Sequence, residues 1–133
     1  MDIASGCALL DDDVSTTLEL SWAICHQACV LWSSRAYRPP DPAELGEFDP
    51  VDLLVVIDKN ITVLDGGSDA EIVLNAADEL ATVIMDRLNR PWPEVPGTGA
   101  VLEISLIDGE LGWASGGRRL CRLGDLGRAL RVL

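Results

Sequence analysis

Residues 25 to 29 read Cys-His-Gln-Ala-Cys and contain the chain's one histidine and two of its four cysteines. Thiolate and imidazole are the side chains best suited to hold zinc, or to act together as nucleophile and base. A tetrahedral zinc site usually shows two spaced ligand pairs, and here a second pair is missing, because Cys7 and Cys121 are single cysteines far off in sequence. From Thr17 to Trp32 the apolar residues Leu18, Trp22, Cys25, Cys29 and Trp32 recur at steps of 4, 3, 4 and 3, which predicts a helix. On that helix both cysteines share the apolar stripe, where a free cysteine behaves as a small hydrophobe. His26 is turned a quarter-turn from Cys25 and has no local nucleophile to serve. The stretch is read as packing, and no metal ligand, cofactor or catalytic residue is assigned.

The acids invite metal or acid–base chemistry, but their spacing argues against it. Asp11, Asp12 and Asp13 are contiguous, so their side chains fan out and do not converge. The segment DKNITVLDGGSDAE lacks the acids at alternate positions that a calcium loop needs ahead of its glycine. Gly66-Gly67-Ser68 lacks the Gly-x4-Gly-Lys pattern and has Asp65 and Asp69 beside it, so it reads as a turn and not as a phosphate cradle. Gly116-Gly117-Arg118-Arg119 fits an anion contact or an ordinary hairpin connection equally well.

Charge is the strongest compositional signal. There are 22 acids against 10 Lys and Arg, net −12. Residues 118 to 133 carry five arginines and one acid, net +4, and residues 1 to 117 carry the other 5 bases and 21 acids, net −16. Such a field repels nucleic acid and anionic membrane and steers basic partners. Sparse aromatics also speak against a stacking platform for single strands. Every apolar run is broken before the roughly 18 residues of a membrane span. The opening MDIASGCALLDDD lacks a basic region ahead of an apolar one, so a reducing cytoplasm and free thiols are expected. Nine arginines against the one lysine, Lys59, fit a GC-rich bacterial genome.

The elements that would position these residues follow from local signals. Ser15, Thr16 or Thr17 could cap the helix of residues 17 to 32. Residues 38 to 50, RPPDPAELGEFDP, are a proline-rich connector inside a single domain that spans residues 1 to 133. Leu53 to Ile57 is apolar on both faces, as in a central strand, and turns at Lys59-Asn60 into a second strand, Ile61 to Leu64. Ser68-Asp69-Ala70-Glu71 is a capping box that opens a helix over 69 to 89, ended by Pro91. Residues 100 to 107 alternate, with Leu102, Ile104 and Leu106 on one side, Asp108-Gly109 makes a hairpin, and Gly116-Gly117 turns into a short strand at 118 to 122. A helix closes the chain from Asp125 to Leu133.

The predicted order is α-β-β-α-β-β-(β)-α, a two-layer α+β domain in which an antiparallel sheet of about four to five strands packs against helices. The reading that fits best is a small acidic, non-enzymatic domain that binds, and regulates or neutralises, a basic protein such as a toxin or nuclease. Immunity proteins and inhibitors that imitate nucleic-acid charge are of this size and acidity. The candidate contact residues are Asp11, Asp12, Asp13, Asp41, Glu44, Glu47, Asp49 and the loop tryptophan Trp92. By element order alone the chain also resembles the roadblock/longin-like group, which implies a homodimer acting with a small GTPase. The proline-rich connector departs from that group. An enzyme with an unrecognised cleft is the third reading.

Overall fold

The computed structural model describes residues 1–27 and 29–131. Helix α1 (Ile3–Ser15) comes first, followed by strands β1 (Trp22–His26) and β2 (Cys29–Ser33), the short helix α2 (Pro42–Leu45), β3 (Leu53–Ile57) and β4 (Asn60–Leu64). The long helix α3 (Asp69–Leu88) then leads to β5 (Glu103–Ile107), β6 (Glu110–Ser115), β7 (Arg118–Arg122) and α4 (Leu126–Arg131). All pairings are antiparallel, and the strands form two sheets, β2-β1-β3-β4 and β5-β6-β7. The architecture is α+β, as expected. The expected end of the last helix at Leu133 lies outside the described residues.

The predicted helix over 17 to 32 is replaced by a β-hairpin, and the first helix lies upstream. Ile3, Cys7, Leu10 and Val14 are spaced 4, 3 and 4 apart, and this stripe drives α1. Asp2 caps it by accepting from the Ser5 amide at 2.7 Å. In β1, Trp22, Ala23, Ile24 and Cys25 are all buried, as in a central strand covered on both faces. The roadblock/longin-like order still opens helix-strand-strand, with α1 as the helix, but the seven strands among the described residues divide between two sheets instead of forming one.

The four-stranded sheet has an inner and an outer face. Trp22 and Ile24 of β1 face inward with Val55 and Ile57 of β3, and join α1 and α3 in the main core. Gly6 of α1 sits so close to α3 that an added Cβ would lie 2.8 Å from Val73 Cγ2, so glycine allows the helix crossing. On the outer face Cys25, Leu54 and Val56 form a second cluster with Tyr37, Leu45, Phe48 and Ile61. The proline-rich connector thus covers the sheet's second face, which explains why β3 is apolar on both sides.

Helix α3 begins as expected, with Ser68 and Glu71 bonded reciprocally, and ends at Asn89 in the left-handed conformation. Its buried side, including Val73, Ala77, Leu80 and Ile84, faces the main core. The hairpin turns at Asp108-Gly109 and Gly116-Gly117 form with positive φ at all four residues, as tight turns of the primed type require. The β3–β4 turn falls one residue early, on Asp58-Lys59, since Ile57 pairs with Asn60.

The interior also contains a charged group. Asp13 is 1% exposed. Its Oδ2 accepts from the Trp113 indole and the Gly124 amide, both at 2.8 Å, and its Oδ1 accepts from the Leu126 amide at 3.0 Å. One carboxylate of α1 thereby holds the three-stranded sheet and the turn into α4. Burial pushes this carboxyl above its usual value of 3.8, and the three N–H donors only partly oppose that. The folded protein therefore holds the proton more tightly than the unfolded chain. That contribution to stability is complete below 3.8 and fades as pH rises through the folded value.

Replacing Asp13 by Ala should lower the unfolding free energy by about 2–4 kcal/mol, because three buried N–H groups lose their acceptor. The loss should be larger near about pH 4 than near about pH 7, because the stabilising proton is lost as pH rises through the raised folded value. Urea melts of both proteins at both pH values check this. A loss under about 0.5 kcal/mol, or one that grows toward neutral pH, would contradict it.

Candidate functional site

Cys25, His26, Gln27 and Cys29 lie at the end of the β1–β2 hairpin, and their side chains go to different places. Cys25 is buried in the outer-face cluster, and Cys29 is exposed. His26 Nδ1 lies 2.9 Å from the Asp52 carbonyl oxygen, which can only accept, so Nδ1 carries the proton in that bond. Gln27 Nε2 donates to two carbonyls of the connector, Leu45 at 3.2 Å and Phe48 at 3.1 Å. The polar residues of the stretch are thus fasteners: His26 and Gln27 fix residues 45 to 52 over the sheet.

The other cysteines belong to other elements. Cys7 belongs to α1 and the main core, and Cys121 to β7. Among the described residues no group of three His, Cys, Asp or Glu side chains is placed to hold a metal ion. Burial, with help from Asp11, pushes the Cys7 thiol up to about 12, and burial with Asp13 and Asp125 pushes Cys121 up to about 11. Burial also raises Cys25. Such thiols hold almost no thiolate at neutral pH and are weak nucleophiles.

The acidic candidates separate into two groups. Only Asp12 of the 11 to 13 run faces solvent. Asp11 is half-buried and accepts from the Trp22 indole at 2.8 Å, and Asp13 is enclosed as described. Trp92 is 5% exposed; its indole donates to Thr17 Oγ1 at 3.0 Å and its ring meets Trp113 edge-on, centroids 5.6 Å apart. Asp11, Asp13 and Trp92 therefore serve the interior. Asp41, Glu44, Glu47 and Asp49 are all exposed.

Those four acids share one ordered plate. Tyr37, Leu45 and Phe48 anchor it from beneath, and the Arg38 amide donates to Ser21 Oγ at 2.9 Å at its start. Asp41 caps α2 by accepting from the Ala43 amide, and Asp49 accepts from the Val51 amide, both local bonds that leave the carboxylates facing water. Among the described residues the ion pairs are Arg87–Asp58, Arg119–Glu110, Arg122–Glu110 and Arg128–Asp125, and none involves the plate. Asp12 lies on α1, across the sheet from the plate, so the two acidic regions do not converge.

The plate can attract and orient cations, but it encloses nothing. The cavity at its edge, about 360 Å³ and lined by Ser21, Arg38, Pro39, Asp41, Asp58 and Lys59, mixes both signs of charge. The acids of the plate were legible as candidates because the proline-rich stretch reads as a surface connector, although Asp41 caps, and Glu44 belongs to, the short helix α2 within it. The fastening roles of His26 and Gln27 had no sequence signal, since they depend on which face the connector covers. No protein-family model matches the chain, and neither a characterised protein nor a solved structure matches it.

The placement of the thiols sets their reactivity. In the native protein a maleimide should modify Cys29 at least about a hundredfold faster than Cys7 or Cys25, and unfolding should level the rates. Peptide mapping of a time course checks this. Native labelling of Cys25 as fast as that of Cys29 would show that the plate does not cover the outer face.

Proposed function

We propose that this chain is an acidic, non-enzymatic domain that docks onto a basic protein and so regulates or neutralises it, with Asp41, Glu44, Glu47 and Asp49 as the leading contact surface. The observation that carries this reading is the plate itself: four exposed carboxylates on a segment fastened from below, with no ion pair of their own among the described residues. Unpaired acids on an ordered surface lose little conformational freedom when a cation arrives. Within a net charge of −12 they also act over a longer range, steering encounter more than they tighten the final contact. Solvent-exposed charges are worth little singly, so the reading predicts a rate effect shared by all four.

The test is capture from the native cell at low and moderate salt. The wild-type chain is compared with a variant carrying Asp41→Asn, Glu44→Gln, Glu47→Gln and Asp49→Asn. Asparagine keeps both local amide bonds, so the plate should stay folded. A basic protein recovered in near-equal amount, released by salt and associating at least about tenfold more slowly with the variant, is the expected outcome. A partner that binds both forms at the same rate, or one that is itself acidic, would sink the proposal.

A further inference from the structure

A second acidic surface on the molecule is a groove, not a plate. Between the middle of α3 and the edge strand β5 runs a cavity of about 520 Å³. Met85, Ala81 and Val101 line it above the nearly buried Trp92 and Trp113, and the exposed Asp78 and Glu103 line it from opposite elements. No lysine or arginine lines it, and neither acid joins an ion pair among the described residues. Thr82 adds a hydroxyl whose proton is given to the Asp78 carbonyl at 3.0 Å, which leaves its oxygen lone pairs free to accept.

The side-chain oxygens of Asp78, Thr82 and Glu103 can all accept, and the other lining side chains are aromatic and apolar. We infer that this groove receives an arginine side chain of a basic protein partner, the methylene stem lying along Met85 and the indoles and the guanidinium bridging Asp78 and Glu103. Arginine suits it better than lysine because a flat guanidinium can meet two carboxylates at once. Burial, and then the nearby charges of Glu103 and Glu79, push the Asp78 carboxyl up, so the two rim acids already feel one another and a cation between them relieves the repulsion. The groove thus adds a directional contact to the long-range attraction of the plate. The inference rests on the basic-partner reading, but it concerns separate residues.

The probe is blocked arginine, the N-acetyl methylamide, titrated into the full chain, with the indole N–H signals of Trp92 and Trp113 followed by NMR. The neutral isostere, blocked citrulline, is the control. Arginine should shift both signals along a saturable curve, citrulline should not, and the Asp78→Asn/Glu103→Gln variant should bind at least about tenfold more weakly, as expected for losing two partly exposed charge contacts. Both substitutions lie at exposed positions, and an unchanged melting temperature confirms that the variant is folded. Equal shifts with citrulline, undiminished binding by the variant, or no saturable shift would overturn the groove assignment. Arginine shifts confined to residues 41 to 49 would also overturn it while supporting the plate, so the two proposals fail separately.

Discussion

The carboxylate of Asp13 is the constraint on which the rest of this structure depends. It is a charge in the interior, and burying one is tolerated only when donors surround it. Here the donors come from β6 and from the turn into α4, so the need of one side chain on α1 fixes the position of the second sheet and the last helix. The same stretch of chain satisfies two more indoles, Trp22 through Asp11 and Trp92 through Thr17. Three of the four tryptophans are thereby bonded to residues 11 to 17. A large aromatic core needs partners for its N–H groups, and this short segment supplies them.

That arrangement shows which parts of the sequence were legible. Where a signal was local, it held: the capping box of α3, the Asp108-Gly109 and Gly116-Gly117 turns, and the alternation of β5 are each decided within a few residues. The segment from 17 to 32 misleads because its apolar residues fit both templates. Steps of 4, 3, 4 and 3 describe a helix face, yet Trp22 to Cys25 and Val30 to Trp32 are also continuous apolar runs of strand length. As a central strand β1 buries one face under α1 and α3 and the other under the connector, and that long-range gain decides the matter.

Helix α1 was hidden for the opposite reason. Its stripe of Ile3, Cys7, Leu10 and Val14 is regular, but the acidic run inside it, Asp11 to Asp13, resembles the polar lead-in to another helix. Asp13 lies seven residues after the buried Gly6 and beside Val14, on the inward face. An acid in line with an apolar stripe is a signal for a buried, bonded carboxylate. Read that way, the run of three aspartates divides by geometry: one faces water, one binds an indole at the boundary, and one is enclosed. The exposed plate could be located from its prolines, whereas its fasteners, His26 and Gln27, depend on tertiary placement that no local pattern encodes.

Interior and exterior acids thus do different work in a chain whose overall charge is uniform in sign over most of its length. The interior ones order the frame, and the frame holds the plate and the groove at fixed positions on opposite kinds of support, a covered sheet face and a helix–strand seam. The most direct measurement of this account is native-state hydrogen exchange at the Gly124 and Leu126 amides and the Trp113 indole. If the Asp13 carboxylate ties these elements into one unit, all three protons exchange slowly and with one common opening free energy, close to that of global unfolding. Fast exchange at Gly124 and Leu126 while Trp113 stays protected would show that the last turn and α4 open independently, and that the buried carboxylate does not organise the fold.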